Sequence, residues 1–220
     1  EKVIAPKLKE DETFEDKSYS QFEEAMDLRL KGKGQEAFPL LLQAAAAKPS
    51  DPQVIDALWE TSVELNRQRE AAPFLHKLVE TEIRRNHYDA ARFHFDQLSR
   101  AVPEAVLSPP AAISFMEMLL KHGERKQAEF VIESIAPLLG PATPPGVLTQ
   151  FAVATMQLGP KWADPVIELC NRHPEIPEAK KEDLAKQRQQ IDRIKQGVVA
   201  GTAAPPPPQR LTGLPQTPPA

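Results

Sequence analysis

The placement of glycine constrains this chain more than any other feature. All nine glycines, at positions 32, 34, 123, 140, 146, 159, 197, 201 and 213, fall between stretches of periodic apolar residues. A glycine in a helix interior costs about 1 kcal/mol relative to alanine, so a chain that confines glycine to its joints has segments that are helices. Proline behaves in the same way: Pro49, Pro52, Pro103, Pro109, Pro110, Pro141, Pro144, Pro145, Pro174 and Pro177 bracket the apolar runs. Pro39, Pro73 and Pro165 fall within such runs and are expected in first helical turns, where a missing N–H is tolerated. Pro137 is expected to close a helix.

Between these marks the apolar residues recur at three and four. "FEEAMDLRL" aligns Phe22, Ala25, Met26 and Leu30 on one stripe, and "VIDALWETSVEL" aligns Ile55, Leu58, Trp59 and Ser62. "ISFMEMLLKHG" and "VLTQFAVATMQLG" are apolar over a wide arc, the pattern of a helix covered on two sides. No alternating run bounded by hairpin turns occurs, so strands are not expected. The spacing predicts ten helices near residues 18–32, 34–47, 52–66, 69–86, 88–101, 109–122, 124–139, 145–158, 161–172 and 177–196. Short connections make neighbouring helices antiparallel. The chain therefore divides into a charged N-terminal segment (1–17), an all-α body (18–196) and a tail (197–220) with seven prolines. Such a tail is expected to be disordered or polyproline-like and to act as a linker. The last helix, "EAKKEDLAKQRQQIDRIK", apolar at Leu184, Ile191 and Ile194, is expected to lid the body.

A recurrence runs through that body. Ala37, Leu41 and Pro49 are matched by Ala91, Phe95 and Pro103 with the same internal spacing. Ala71 with Leu75, Ala128 with Ile132 and Ala163 with Ile167 repeat the first two elements. The turns "KGKGQEA", "RNHYDAA" and "KHGERKQA" precede the small residue in three copies. A small residue lets one helix of a pair approach the other, and a bulky residue one turn later fills the gap. A single pair cannot bury its apolar face, so pairs stack. This pattern resembles the tetratricopeptide repeat, whose second helix carries alanine, a bulky residue four later and a closing proline. The resemblance covers residues 18 to about 173 and implies a right-handed solenoid of stacked antiparallel helix pairs. The first half of the repeat survives only as Ala25 with Leu28 and Leu58 with Trp59. The step from Ala71 to Ala91 is too short for a full repeat, so residues 69–86 are expected to form one long helix in place of two. A second likeness rests on "EKVIAPKLKE" ahead of a helical body, which is similar to the soluble extension after the membrane domain of some bacterial rhomboid-family proteins. That likeness implies a cytosolic appendage without protease chemistry, since the G-x-S-G serine motif is absent. The chain opens on Glu1 rather than methionine, which reads as a fragment or a processed product.

The net charge of −4, with acidic and basic residues interleaved, offers no basic face for nucleic acid. The basic runs around Arg84 and Arg85 and in residues 178–195 are offset by Glu178, Glu182, Asp183 and Asp192. No stretch approaches the roughly 18 apolar residues of a membrane span. The single cysteine, Cys170, excludes an internal disulfide and lies three residues after Ile167, as a buried structural thiol would. His87 and His94 are seven apart, whereas zinc-binding histidines on helices favour about three to five, so they read as surface or groove-lining residues. His76, His122 and His173 are expected near helix ends. There is no glycine-rich phosphate loop, nucleophile elbow or CxxC.

These absences point to a protein that is not an enzyme and needs no cofactor or metal. The expected function is protein–protein interaction or scaffolding, with a protein or peptide partner on the face formed by the first helices of the pairs. Tyr19, Phe22, Met26, Asp56, Glu60, Ile113 and Glu117 are the residues expected there, with core packing as the alternative for Phe22 and Met26. The alternatives for the whole chain are a cytosolic regulatory appendage of a membrane protein, such as a rhomboid-family protease, and a homodimerisation module. The expected location is cytoplasmic, tethered to a membrane only through segments outside this chain.

Overall fold

A computed structural model describes residues 14–201, with side chains from Tyr19 to Ile194. Residues 1–13 and 202–220, which hold most of the charged start and of the proline-rich tail, lie outside the described residues. Ten α-helices follow one another: α1 Phe14–Leu30, α2 Gly34–Ala47, α3 Pro52–Glu64, α4 Gln68–Arg84, α5 Tyr88–Ala101, α6 Pro109–Lys121, α7 Arg125–Ile135, α8 Pro145–Met156, α9 Pro160–Arg172 and α10 Glu178–Gly201. Pro137 lies in the short 3₁₀ turn Ala136–Leu138 that ends α7. There is no strand among the described residues. Helices α1 to α5 each pack against the next, as do α6 with α7, α8 with α9 and α9 with α10, and helices two apart also meet: α1 with α3, α2 with α4, α4 with α6, α6 with α8 and α8 with α10. The fold is an all-α array of adjacent packed helix pairs.

Local chemistry sets both ends of the pairs. Several helices open on proline at the first or second position, as in α3, α6, α8 and α9. Proline suits that place because its fixed φ is helical and its missing N–H would have no partner there. In α3 the preceding Asp51 caps the helix, its side chain accepting from the Gln53 N–H at 3.0 Å. The turns inside pairs share a different device. Gly32, Asn66, Asn86 and Gly123 have φ of 73°, 55°, 58° and 78°. In each case the next residue's N–H returns to a carbonyl five positions back, as in Lys33 to Leu28 at 2.9 Å and Glu124 to Leu119 at 2.9 Å. A left-handed residue closed in this way is the standard means of stopping an α-helix and reversing the chain. Each of the four stands five residues before a buried alanine: Ala37, Ala71, Ala91 and Ala128. Turn and packing alanine therefore recur as one unit.

The left-handed turns lead to a direct test. A Cβ added at Gly123 would meet nothing within 4 Å, so Gly123→Ala carries the backbone penalty alone, about 1 kcal/mol. Thermal unfolding is expected to fall by about 2–4 °C. Asn86→Gly, which relieves the same strain, is expected to leave the midpoint unchanged or slightly raised.

The short interval between Asn66 and Asn86 is explained by α4. Its first half contributes Ala71, Ala72, Leu75 and Leu78 to an apolar core shared with α1, α2 and α3. Its second half places Val79 and Ile83 in another core, built with α5 to α9 and Leu184 of α10. One helix thus serves as second member of the α3–α4 pair and first member of the α4–α5 pair. Helix α5 straddles the same seam, with Phe95 in the second core and Leu98, together with Val102 just past the helix end, in the first.

Four expectations need correction. Pro39, Pro73 and Pro165 are not in first turns: each is the sixth residue of its helix, two after a packing alanine. All three are exposed, and the carbonyls that lose their partner belong to exposed Gln35, Arg69 and Lys161. Water can satisfy those carbonyls, which is why the interior prolines are tolerated. Leu30, expected on the buried stripe, is 86% exposed because α1 ends there, just before the Gly32 turn. Gly34 and Gly146 lie in the first turns of α2 and α8, and α10 runs through Gly197 to Gly201, five residues beyond its expected end.

Candidate functional site

The helices that open on Pro52, Pro109 and Pro145 share a register. The fifth, sixth and ninth residues of such a helix project from one side. In α6 these are Ile113, Ser114 and Glu117; in α8, thirty-six residues later, they are Thr149, Gln150 and Val153. The two sets line an open cleft of about 340 Å³, to which α10 contributes Lys180. Ile113 supplies a buried apolar wall, and Val153 an exposed one. Thr149 spends its hydroxyl proton on the Gly146 carbonyl at 3.0 Å. Ser114, Glu117, Gln150 and Lys180 engage in no side-chain hydrogen bond or ion pair with other described residues. Helix α10 is seated by fully buried Leu184 and by Arg188, which bridges Asp164 of α9 at 3.1 Å and Asp192 of its own helix. That anchoring fixes Lys180 at the cleft. The lining offers hydroxyl and amide groups, one anion and one cation around an apolar strip, which suits a ligand with its own amide donors and acceptors.

Of the seven residues expected on this face, the structure brings Ile113 and Glu117 together and separates the others. Glu60 accepts a hydrogen bond from Arg29 of α1 at 3.1 Å, and Asp56 faces His94. Phe22 and Met26 are half-buried against the first core. Tyr19 is exposed near the end of α2, its ring 5.7 Å from the Lys48 ammonium. Ser114, Thr149, Gln150, Val153 and Lys180 were not expected, although the matched openings at Pro109 and Pro145 carry the signal for the α8 set.

The cleft stops short of α4 for a structural reason. Counting back along the repeat, from Ala128 to Ala91, places His76 and Glu80 of α4 where α6 has Ile113 and Glu117. The connection between α5 and α6 occupies both. His76 donates from Nε2 to the Val106 carbonyl at 3.0 Å, the Ser108 N–H donates to Glu80 at 2.8 Å, and Leu107 between them is buried. Burial works against the Glu80 charge, but the Ser108 hydrogen bonds hold its carboxyl below the usual range. His76 is thus inside a helix, not at an end as expected.

A second polar cluster lies at the seam. His94 of α5 is 4% exposed. Its Nδ1 is 2.8 Å from Oε2 of Glu82 on α4, and its Nε2 is 2.9 Å from Oδ1 of Asp56 on α3. Burial alone would lower the pKa of this histidine, yet hydrogen bonds and charge from Asp56 and Glu82 raise it to about 9. The ring is an imidazolium with both N–H groups donating. Both nitrogens are therefore taken, by carboxylates on different helices, and His87 lies exposed at the turn before α5. The two histidines do not form a pair. His122 stacks on Tyr88 with ring centroids 3.6 Å apart and planes within 4°. Cys170 is buried, and burial pushes its thiol pKa up, away from the thiolate that a nucleophile requires.

No protein-family model matches the chain, and neither a search of curated proteins nor one of solved structures gives a match. Among the described residues, no helix is long and apolar enough to cross a membrane.

Proposed function

We propose that this chain is a non-catalytic docking module of tetratricopeptide-like design, which holds an extended segment of a partner protein in the cleft between α6 and α8. The observation that carries the reading is the pairing of two identically registered helix faces around an open cleft. Ser114, Glu117, Gln150 and Lys180 of its lining have no side-chain partner among the described residues. An extended peptide has unpaired backbone amides, and a preformed polar cleft binds it without first paying to order its own groups. The apolar strip at Ile113 and Val153 favours a partner with an aliphatic side chain between those amides. The reading requires no cofactor, and the interleaved charge argues against nucleic acid as partner.

Site-specific photocross-linking tests this. A photoreactive residue at Ser114 or Gln150 is expected to capture a discrete protein in cells, whereas the same residue at exposed Glu133 on α7 captures none. Val153→Asp is expected to weaken the captured complex about tenfold, about 1.4 kcal/mol. Capture at Glu133 equal to that at Ser114, or a complex indifferent to Val153→Asp, rejects the cleft as the docking site.

A further inference from the structure

The cluster of Asp56, His94 and Glu82 sits where the two apolar cores meet. Asp56 comes from α3, whose buried apolar residues belong to the first core. Glu82 and His94 are flanked in sequence by Ile83 and Phe95, which belong to the second. Hydrogen bonds of 2.8 and 2.9 Å at the two ring nitrogens therefore tie α3 to the α4–α5 hairpin across the seam.

This arrangement has a chemical consequence. A neutral imidazole carries one N–H and one lone pair, so it cannot donate to two carboxylates. Loss of a single proton must break one bond and set a lone pair against an anion. The Glu82 side chain is 5% exposed and gains little solvent by leaving the ring, whereas the Asp56 side chain is 44% exposed. Asp56 is the bond that opens. The charged groups acting on the ring are Asp56 from α3 and Glu82 from α4; Glu60, one turn beyond Asp56, is engaged by Arg29 of α1.

We propose that Asp56, His94 and Glu82 form a proton-controlled clasp, closed when His94 is charged and open at Asp56 when it is neutral, which sets how the two halves of the array lie against each other. The clasp is independent of what occupies the cleft between α6 and α8. It also makes an unusual demand of the Asp56→Asn variant. An asparagine can accept from the charged ring and, after an amide flip, donate to the lone pair of the neutral one. That single change converts a pH-sensitive clasp into one that stays shut.

The test places labels on Glu24→Cys of α1 and Glu168→Cys of α9 in a Cys170→Ala background. The label separation, the ring nitrogen shifts of His94 and the helical circular dichroism are followed from pH 6 to 10. In the otherwise native chain the separation is expected to be constant at low pH and to shift together with the His94 signals, near pH 9, while helicity is retained. In Asp56→Asn the separation is expected to stay at its low-pH value throughout. A separation that does not change while His94 loses its proton overturns the clasp. So does an Asp56→Asn variant that opens like the parent, or a loss of helicity over the same pH range.

Discussion

Replacing Phe115 by alanine is expected to lower the unfolding free energy by about 4 kcal/mol and to separate the unfolding of the two cores. Phe115 is fully buried in the middle of α6, its ring edge-on to Phe95 with centroids 5.0 Å apart. Truncating a buried phenylalanine costs about 3–5 kcal/mol through lost transfer free energy and a residual cavity. Helix α6 packs against α4, α7 and α8, so no single neighbour can collapse into the gap, and the upper part of that range applies. In stacked arrays each unit is stabilised by its neighbours, so damage stays local. The chain carries its own reporters: Trp59 is buried in the first core, and Trp162 packs against the second. Trp162 fluorescence, read in a Trp59→Phe background, is expected to show a clearly lower urea midpoint in the Phe115→Ala variant. Trp59 fluorescence, read in a Trp162→Phe background, is expected to move much less. Equal shifts of both signals would show that α4 couples the halves into one cooperative unit and would refute the two-core description.

The same local logic governs how much of the structure could be read from the sequence. Helix number and order followed from apolar period and from breakers, because burial of one face is the main force ordering each segment. The recurrence was legible because a packing alanine is needed wherever two helices approach closely. The single long α4 followed from the short step between Ala71 and Ala91. Attention to glycine as the turn residue, however, hid Asn66 and Asn86, which hold the same left-handed conformation in the turns on either side of α4. Asparagine tolerates that conformation, so these positions are equivalent in backbone terms while differing in letter. With them included, the turn-to-alanine offset of five holds in four pairs.

The site was less legible. Asp56, Glu60, Ile113 and Glu117 occupy the expected register, but register alone does not say which polar groups the chain consumes itself. Glu60 is taken by Arg29 and Asp56 by His94, partners distant in sequence that only tertiary packing brings close. The connection over His76 and Glu80 likewise depends on where residues 106–108 come to rest, and no periodicity encodes that. What remains open is the stretch where neither ion pairs nor connections intrude.

The imidazolium at the seam leads to a stability profile with a definite sign. His94 has a folded-state pKa of about 9 against an ordinary value of 6.5. The folded chain therefore holds this proton more tightly than the unfolded chain. The stabilisation is complete below pH 6.5 and is lost as pH rises through 9. At about 1.4 kcal/mol per unit, the full difference is about 3 kcal/mol. Because Asp56 is partly hydrated, that figure is the upper end of the expected loss. His94→Gln keeps one donor for Glu82 and cannot titrate, so its stability is expected to lack this component. Urea unfolding at pH 6, 7.5 and 9 provides the comparison. The stability of the parent chain minus that of His94→Gln should shrink by about 2–3 kcal/mol across the series. Titrating groups other than Asp56 and Glu82, which are bonded to the ring, contribute to both proteins and cancel in the difference. A difference that stays constant from pH 6 to 9 would mean that the folded ring keeps the ordinary pKa of 6.5 and is neutral over most of that range. Two carboxylates could not then both be bonded to it, and the link between α3 and α5 would have to rest on apolar contact alone.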